Sequence, residues 1–128
     1  MLLIDSGKGI PYVDEIKGMN VQVRTIDSRD FNHGGTRQWG IELCPEANVY
    51  VFLTQDAIPA DAYAIENLVA AFDDKFVGCA YGRQIAHEQS GVFGKIARAF
   101  NYPSESYVYS LEDRKKRGIK TAFLSNSF

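Results

Sequence analysis

The apolar run Val49-Tyr50-Val51-Phe52-Leu53 constrains this chain most. Continuous apolar character over the length of a strand is what a sheet strand needs when helices cover both its faces. The run leads into Thr54-Gln55-Asp56-Ala57-Ile58-Pro59, so one carboxylate follows the predicted strand end and Pro59 closes the turn. In open α/β sheets, ligands collect beyond the carboxyl ends of the strands, and an acidic residue there can hold a hard cation against phosphates. Asp56 is therefore the first functional candidate. Its competing role is to cap the turn or the helix ahead.

The rest of the chain alternates in the same style. Leu2 to Ile4 reads as a strand running into Asp5-Ser6-Gly7-Lys8-Gly9, Ile10 to Lys17 as a short helix, and Val21 to Ile26 as an alternating strand. A helix is predicted over Thr36 to Cys44, stopped by Pro45, and another from about Ala62 to Phe72 with Asp61 as its N-cap. Phe76 to Gly82 reads as a strand. Ser90 is placed to cap a helix whose Val92, Phe93, Ile96, Ala97 and Phe100 form an apolar face. Ser110 to Arg117 is a charged helical stretch ended by Gly118, and Thr121 to Leu124 a final strand. This alternation predicts an α/β protein, a three-layer helix-sheet-helix arrangement around a mainly parallel sheet.

A length of 128 residues suits one domain with one core, and hydrophobic and charged fractions of 45% and 23% are ordinary for a globular protein. A net charge of −2 provides no broad basic field, which argues against nucleic acid as a partner. Cys44 and Cys79 have no Cys-x-x-Cys spacing and sit in apolar stretches, so they read as small buried hydrophobes. No segment approaches the ~18 uninterrupted apolar residues of a membrane span, and Asp5 follows Met1 too closely for a signal peptide. A cytoplasmic location is the expectation, with peripheral membrane contact left open.

Four further constellations carry polar chemistry. Asp5 follows the first predicted strand and would accept hydrogen bonds from a ribose or base edge, or else stabilise the turn at Ser6-Gly7. In His33-Gly34-Gly35-Thr36-Arg37, free amides at a helix start beside a guanidinium suit a phosphate; the alternative is an ordinary cap. His33 has no second His or Cys at ligand spacing. Arg83, Gln84 and His87 cluster after a predicted strand end, where they would contact a sugar or acceptor or simply be solvated. Tyr102, in Asn101-Tyr102-Pro103-Ser104, is either a platform for a sugar ring or a packed ring. Phosphate-loop, dinucleotide-fingerprint and nucleophile-elbow motifs are not found in the sequence.

Leu3-Ile4-Asp5-Ser6-Gly7, Phe31-Asn32-His33-Gly34-Gly35-Thr36-Arg37, Phe52-Leu53-Thr54-Gln55-Asp56-Ala57-Ile58-Pro59, Tyr81-Gly82-Arg83-Gln84, Phe100-Asn101-Tyr102-Pro103 and Ser125-Asn126 occur in that order. This pattern resembles the bacterial rhamnosyltransferase-type branch of family 2 glycosyltransferases, inverting enzymes with a nucleotide-diphosphate-binding GT-A fold. The resemblance covers nearly the whole chain. It implies that Asp5 contacts the nucleotide, that Arg37 is the basic position after the Gly-Gly loop, and that Thr54-Gln55-Asp56 stands where the family carries Asp-x-Asp. Gln55 and Asp56 would then face the sugar nucleotide, with Asp56 holding Mg²⁺ or Mn²⁺ on its diphosphate.

Departures from the family pattern are also visible. Lys8-Gly9-Ile10-Pro11 replaces the usual turn, Thr54 replaces the first Asp, and the family's first strand would precede Met1. No residue matches the family's Glu-Asp catalytic base, which lies beyond the Ser-Asn strand. The expectation is a single, incomplete glycosyltransferase-like domain over residues 1–128. It would carry mainly the donor and metal side of transfer from a nucleotide-diphosphate sugar, such as dTDP-rhamnose, to a saccharide or lipid-linked saccharide. The competing expectation is a non-catalytic nucleotide-binding or interaction domain. A nucleotidyltransferase would need a basic Gly-rich amino-terminal loop, which is not found. Unpaired strand edges and exposed apolar surface lead to the expectation of a homodimer.

Overall fold

The computed structural model describes residues 1–7 and 14–122. The chain divides into two compact units, Met1–Tyr50 and Val51–Phe128.

In the first unit, strand β1 (Leu2–Asp5) pairs in parallel with β2 (Gln22–Thr25), Leu2 opposite Gln22 and Asp5 opposite Thr25. Parallel neighbours cannot be joined by a tight hairpin, so residues 6–21 form the connection. Most of the helix expected at Ile10 to Lys17 lies outside the described residues; Asp14 to Gly18 is a turn, with Lys17 hydrogen-bonded to the Asp14 carbonyl at 3.3 Å and paired to its carboxylate. The altered Lys8-Gly9-Ile10-Pro11 stretch is likewise outside the description.

Helix α1 (His33–Glu42) begins earlier than the apolar pattern indicates because Asn32 caps it: its side chain accepts the Gly35 N–H at 2.8 Å. The Asn32 N–H in turn reaches the Thr36 hydroxyl at 3.4 Å, and Thr36, 8% exposed, is the one buried residue among those described. Trp39, Ile41 and Leu43 are half-buried, whereas Gln38 and Glu42 hydrogen-bond along the exposed face at 3.2 Å. Helix α1 packs on β1, with Gly40 toward Leu2 and Ile4.

The second unit holds α2 (Ala64–Val69), α3 (Val92–Asn101) and α4 (Arg114–Arg117) with short 3₁₀ turns at Ala70–Asp73, Leu111–Asp113 and Gly118–Ala122. Asp61 is not the N-cap of α2; its carboxylate accepts the Tyr63 N–H at 2.8 Å and forms a turn before the helix. Gly91, not Ser90, occupies the N-cap of α3, since the first helical hydrogen bond runs from the Lys95 N–H to the Gly91 carbonyl at 3.1 Å. Ser110 does cap its helical stretch, through a reciprocal box with Asp113. Gly118 then takes φ +57°, a backbone region open to glycine.

Three expected strands are corrected. Val49 to Leu53 is irregular, with Val49 36% and Leu53 44% exposed, because a strand exists only through a neighbour's ladder and this run has none among the described residues. Phe76 to Gly82 is irregular too: Asp74 captures the Phe76 and Val77 amides at 2.9 Å each, bending the segment where an extended ladder should start. Thr121 and Ala122 belong to a 3₁₀ turn, and residues 123–124 lie outside the description. The cysteines are free thiols, and Cys79 is exposed rather than buried. No apolar side chain among the described residues is fully buried, and no described helix is long and apolar enough to cross a membrane.

Two substitutions test the first unit. Asn32→Ala should cost roughly 0.5–2 kcal/mol by orphaning the Gly35 N–H, read as a lower urea midpoint, with Asn32→Ser retaining most of the stability. Gly40→Ala should do the opposite. Its added methyl meets Ile4 and Leu2 at ordinary contact distances of 3.6 and 3.8 Å, while the helix gains alanine's propensity. The midpoint should rise by an amount worth roughly 0.5–1 kcal/mol.

Candidate functional site

Asp5 ends β1, half-buried, with its carbonyl accepting the Ile26 N–H at 2.9 Å. Its Oδ1 accepts the Gly7 N–H, also at 2.9 Å, so one carboxylate oxygen is already used in the turn. A Cβ at residue 7 would stand 3.2 Å from that oxygen, which explains glycine there. Arg37 lies on α1 and is half-buried. His33 opens the same helix and packs edge-on against Phe31, ring centroids 5.1 Å apart.

In the second unit, Gln55 and Asp56 occupy the two central positions of a turn closed by the Ala57 N–H donating to the Thr54 carbonyl at 3.0 Å. Both side chains are exposed. The Thr54 hydroxyl has no well-aligned hydrogen bond among the described residues, yet it lies close enough to the Asp56 carboxylate to favour the ionised form. That proximity is the main reason Asp56 titrates below the ordinary 3.8; its own backbone amide adds a smaller pull, and slight desolvation opposes both.

The exposed carboxylate is a hard oxygen donor of the kind Mg²⁺ or Mn²⁺ takes, whereas the Thr54 hydroxyl oxygen is itself buried and acts only on the carboxylate's ionisation. No group of three His, Cys, Asp or Glu side chains able to hold a metal occurs among the described residues. A single exposed carboxylate could serve only an ion whose other ligands come from phosphates and water, as Mg²⁺ often has.

Arg83 and Gln84 line a cavity of about 260 Å³ together with Lys95, Arg98 and Tyr102. His87 is not part of this lining. Its Nδ1 accepts the Gln89 N–H at 3.2 Å and its carbonyl the Ser90 N–H, so it shapes the turn leading to α3. Tyr102 also meets Tyr81 edge-on, centroids 6.5 Å apart. Sequence reasoning did not single out Lys95 and Arg98. Their three-residue spacing, on the polar side of an otherwise apolar helix, is the signal that points to them.

Compared with known proteins, the chain is 46% identical over its whole length to the O-antigen chain rhamnosyltransferase RfbN of Salmonella typhimurium. It is 44% identical, again over its whole length, to the O-antigen chain rhamnosyltransferase WbaN of Salmonella anatum. The chain spans 41% of the length of each of these relatives. No family model matches, and no solved structure matches.

The pKa of Asp56 gives a direct check. Because the folded-state value is depressed, its ionisation favours the folded state above the unfolded pKa, and this contribution is lost as pH falls through the lower folded value. A carbon-detected NMR titration should place the Asp56 carboxyl midpoint below 3.8, and Thr54→Val should raise it toward that value.

Proposed function

We propose that this chain is the donor-binding part of a rhamnosyltransferase of the family 2, GT-A type. It would serve transfer, with inversion, of rhamnose from a nucleotide diphosphate to a polysaccharide or lipid-linked saccharide at the cytoplasmic face of a membrane. The observation that carries this reading is 44–46% identity, across the whole chain, to two proteins named as O-antigen rhamnosyltransferases. Two further features support it: an ionised carboxylate on an exposed turn at Asp56, and a second carboxylate at the carboxyl end of β1 at Asp5.

Each residue has a definite task on this reading. Asp56, its carboxylate kept ionised by the buried Thr54 hydroxyl, takes the divalent ion that accompanies the sugar-nucleotide diphosphate. When bound, that ion offsets negative charge growing on the leaving diphosphate. Gln55 offers its amide to the donor from the same turn. Asp5 uses its oxygen not spent on Gly7 to receive hydrogen bonds from the nucleoside, and Arg37 supplies positive charge from α1. The base that takes the acceptor hydroxyl's proton is assigned to no residue of this chain.

Calorimetric titration with dTDP tests the reading. Binding should strengthen when Mn²⁺ is added, and Asp56→Asn should remove that gain, weakening Mn²⁺-dependent affinity about tenfold or more. Binding equally strong without Mn²⁺, or unchanged in the variant, overturns the role of Asp56. In a transfer assay with dTDP-rhamnose, robust metal-independent turnover would do the same.

A further inference from the structure

The cavity between the Arg83–Ala86 segment and α3 has an unusual charge balance. Arg83, Lys95 and Arg98 line it, and no Asp or Glu does. None of the three cationic side chains makes a hydrogen bond or ion pair with another described residue; the ion pairs among the described residues, Lys17 with Asp14 and Arg29 with Asp27, lie in the first unit. Lys95 and Arg98, three residues apart on α3, share one helix face, so their like charges repel. The C-terminal end of the helix dipole favours Arg98, but neither Lys95 nor Arg83 receives such compensation. Arg83, Lys95 and Arg98 are exposed, so water screens part of this repulsion, but three cations around one opening with no counter-charge among the described residues favour an anion there.

Size narrows the choice. At about 260 Å³ and open to solvent, the cavity has room for a compact ionic group, with whatever carries that group left outside it. Guanidinium groups match phosphate oxygens with paired donors, and a lysine adds a point charge. Gln84 and Tyr102 add a polar and an aromatic group, and Ile85, Ala86 and Ala99 give the rest of the lining an apolar character.

We infer that this cavity is a phosphate-binding site, in which Arg83, Lys95 and Arg98 hold a phosphate or diphosphate group. Arg83 and Gln84 thereby face a phosphate rather than sugar hydroxyls. The site stands on its own geometry, whether or not the chain transfers a sugar.

Titrating the full chain with inorganic pyrophosphate, in metal-free, low-salt chloride buffer, should show saturable binding that weakens with added salt. Lys95→Gln and Arg98→Gln should each weaken it about tenfold, with Arg98→Lys restoring part of the loss. Circular dichroism checks that the variants fold. As a measurement independent of any variant, NMR of the unaltered chain should show pyrophosphate shifting the Arg83 and Arg98 guanidinium signals ahead of those of Arg114 and Arg117, a basic cluster outside the cavity.

Parallel titrations with farnesyl diphosphate below its micelle concentration and with dTDP identify what carries the phosphate. Tighter binding of the first supports a lipid-borne group, tighter binding of the second a nucleotide-borne one, and equal binding the bare anion. Each supports the site if it depends on Lys95 and Arg98. No saturable binding, or binding weakened as much by Lys115→Gln/Lys116→Gln as by the cavity variants, overturns it. Loss of pyrophosphate binding with Mn²⁺-dependent dTDP binding intact would remove this site and leave the assignment of Asp56 standing.

Discussion

The parallel pairing of β1 with β2 is the constraint on which the first unit depends. Two strands of four residues each bury little by themselves, and a parallel ladder joins them only after a long connection has been closed. Helix α1 offsets that cost by laying Gly40 close to Leu2 and Ile4, and the helix starts where it does because Asn32 satisfies the Gly35 amide. Cap, helix and strand pair thus support one another. Their joint product is the position of Asp5, held at the carboxyl end of a strand with one oxygen fixed by Gly7.

Elements whose signals are local were legible in the sequence. The first two strands alternate or run apolar beside clear turn residues, α1 covers most of the helix expected from Thr36 to Cys44, and the helical character expected from Ser110 to Arg117 is held by a local box that needs no distant partner. What failed was the inference from apolar character to strand at Val49 to Leu53 and Phe76 to Gly82. Apolar composition reports a tendency toward burial, but a strand also requires a second backbone at the right distance and register, which no single segment encodes. At Phe76 a local competitor decided the outcome, since Asp74 offers the chain a turn stabilised by its own side chain.

That competition also separates the carboxylates by role. Asp5, Asp27, Asp61 and Asp74 each accept the backbone N–H two residues ahead at 2.8–2.9 Å, the hydrogen bond by which aspartate builds turns. These side chains are at least partly accounted for by the fold. Asp56 sits in a turn closed by backbone alone, and what depresses its pKa is the Thr54 hydroxyl and its own amide rather than the amide of Ile58. It is ionised, exposed and not spent on holding the chain. The sequence singled out Asp56 on the expectation of a strand end; no strand presents it among the described residues, and an exposed turn does so instead.

Among the described residues of the second unit, acids and bases do not pair with one another. Arg117 lies over the stacked rings of Tyr107 and Tyr109, 4.2 Å from the nearer centroid, and Lys120 stands 4.1 Å above Phe100. These cations are satisfied by aromatic faces, which leaves their positive charge undiminished. Asp56, for its part, is drawn toward ionisation by a hydroxyl rather than neutralised by a lysine or arginine. A chain that kept only its fold in view would gain by pairing such groups with one another. Keeping them apart raises the electrostatic free energy of the isolated chain. That excess becomes favourable when a cation meets the carboxylate and an anion meets the unpaired cations, as a metal-bound diphosphate and a separate phosphate group would do.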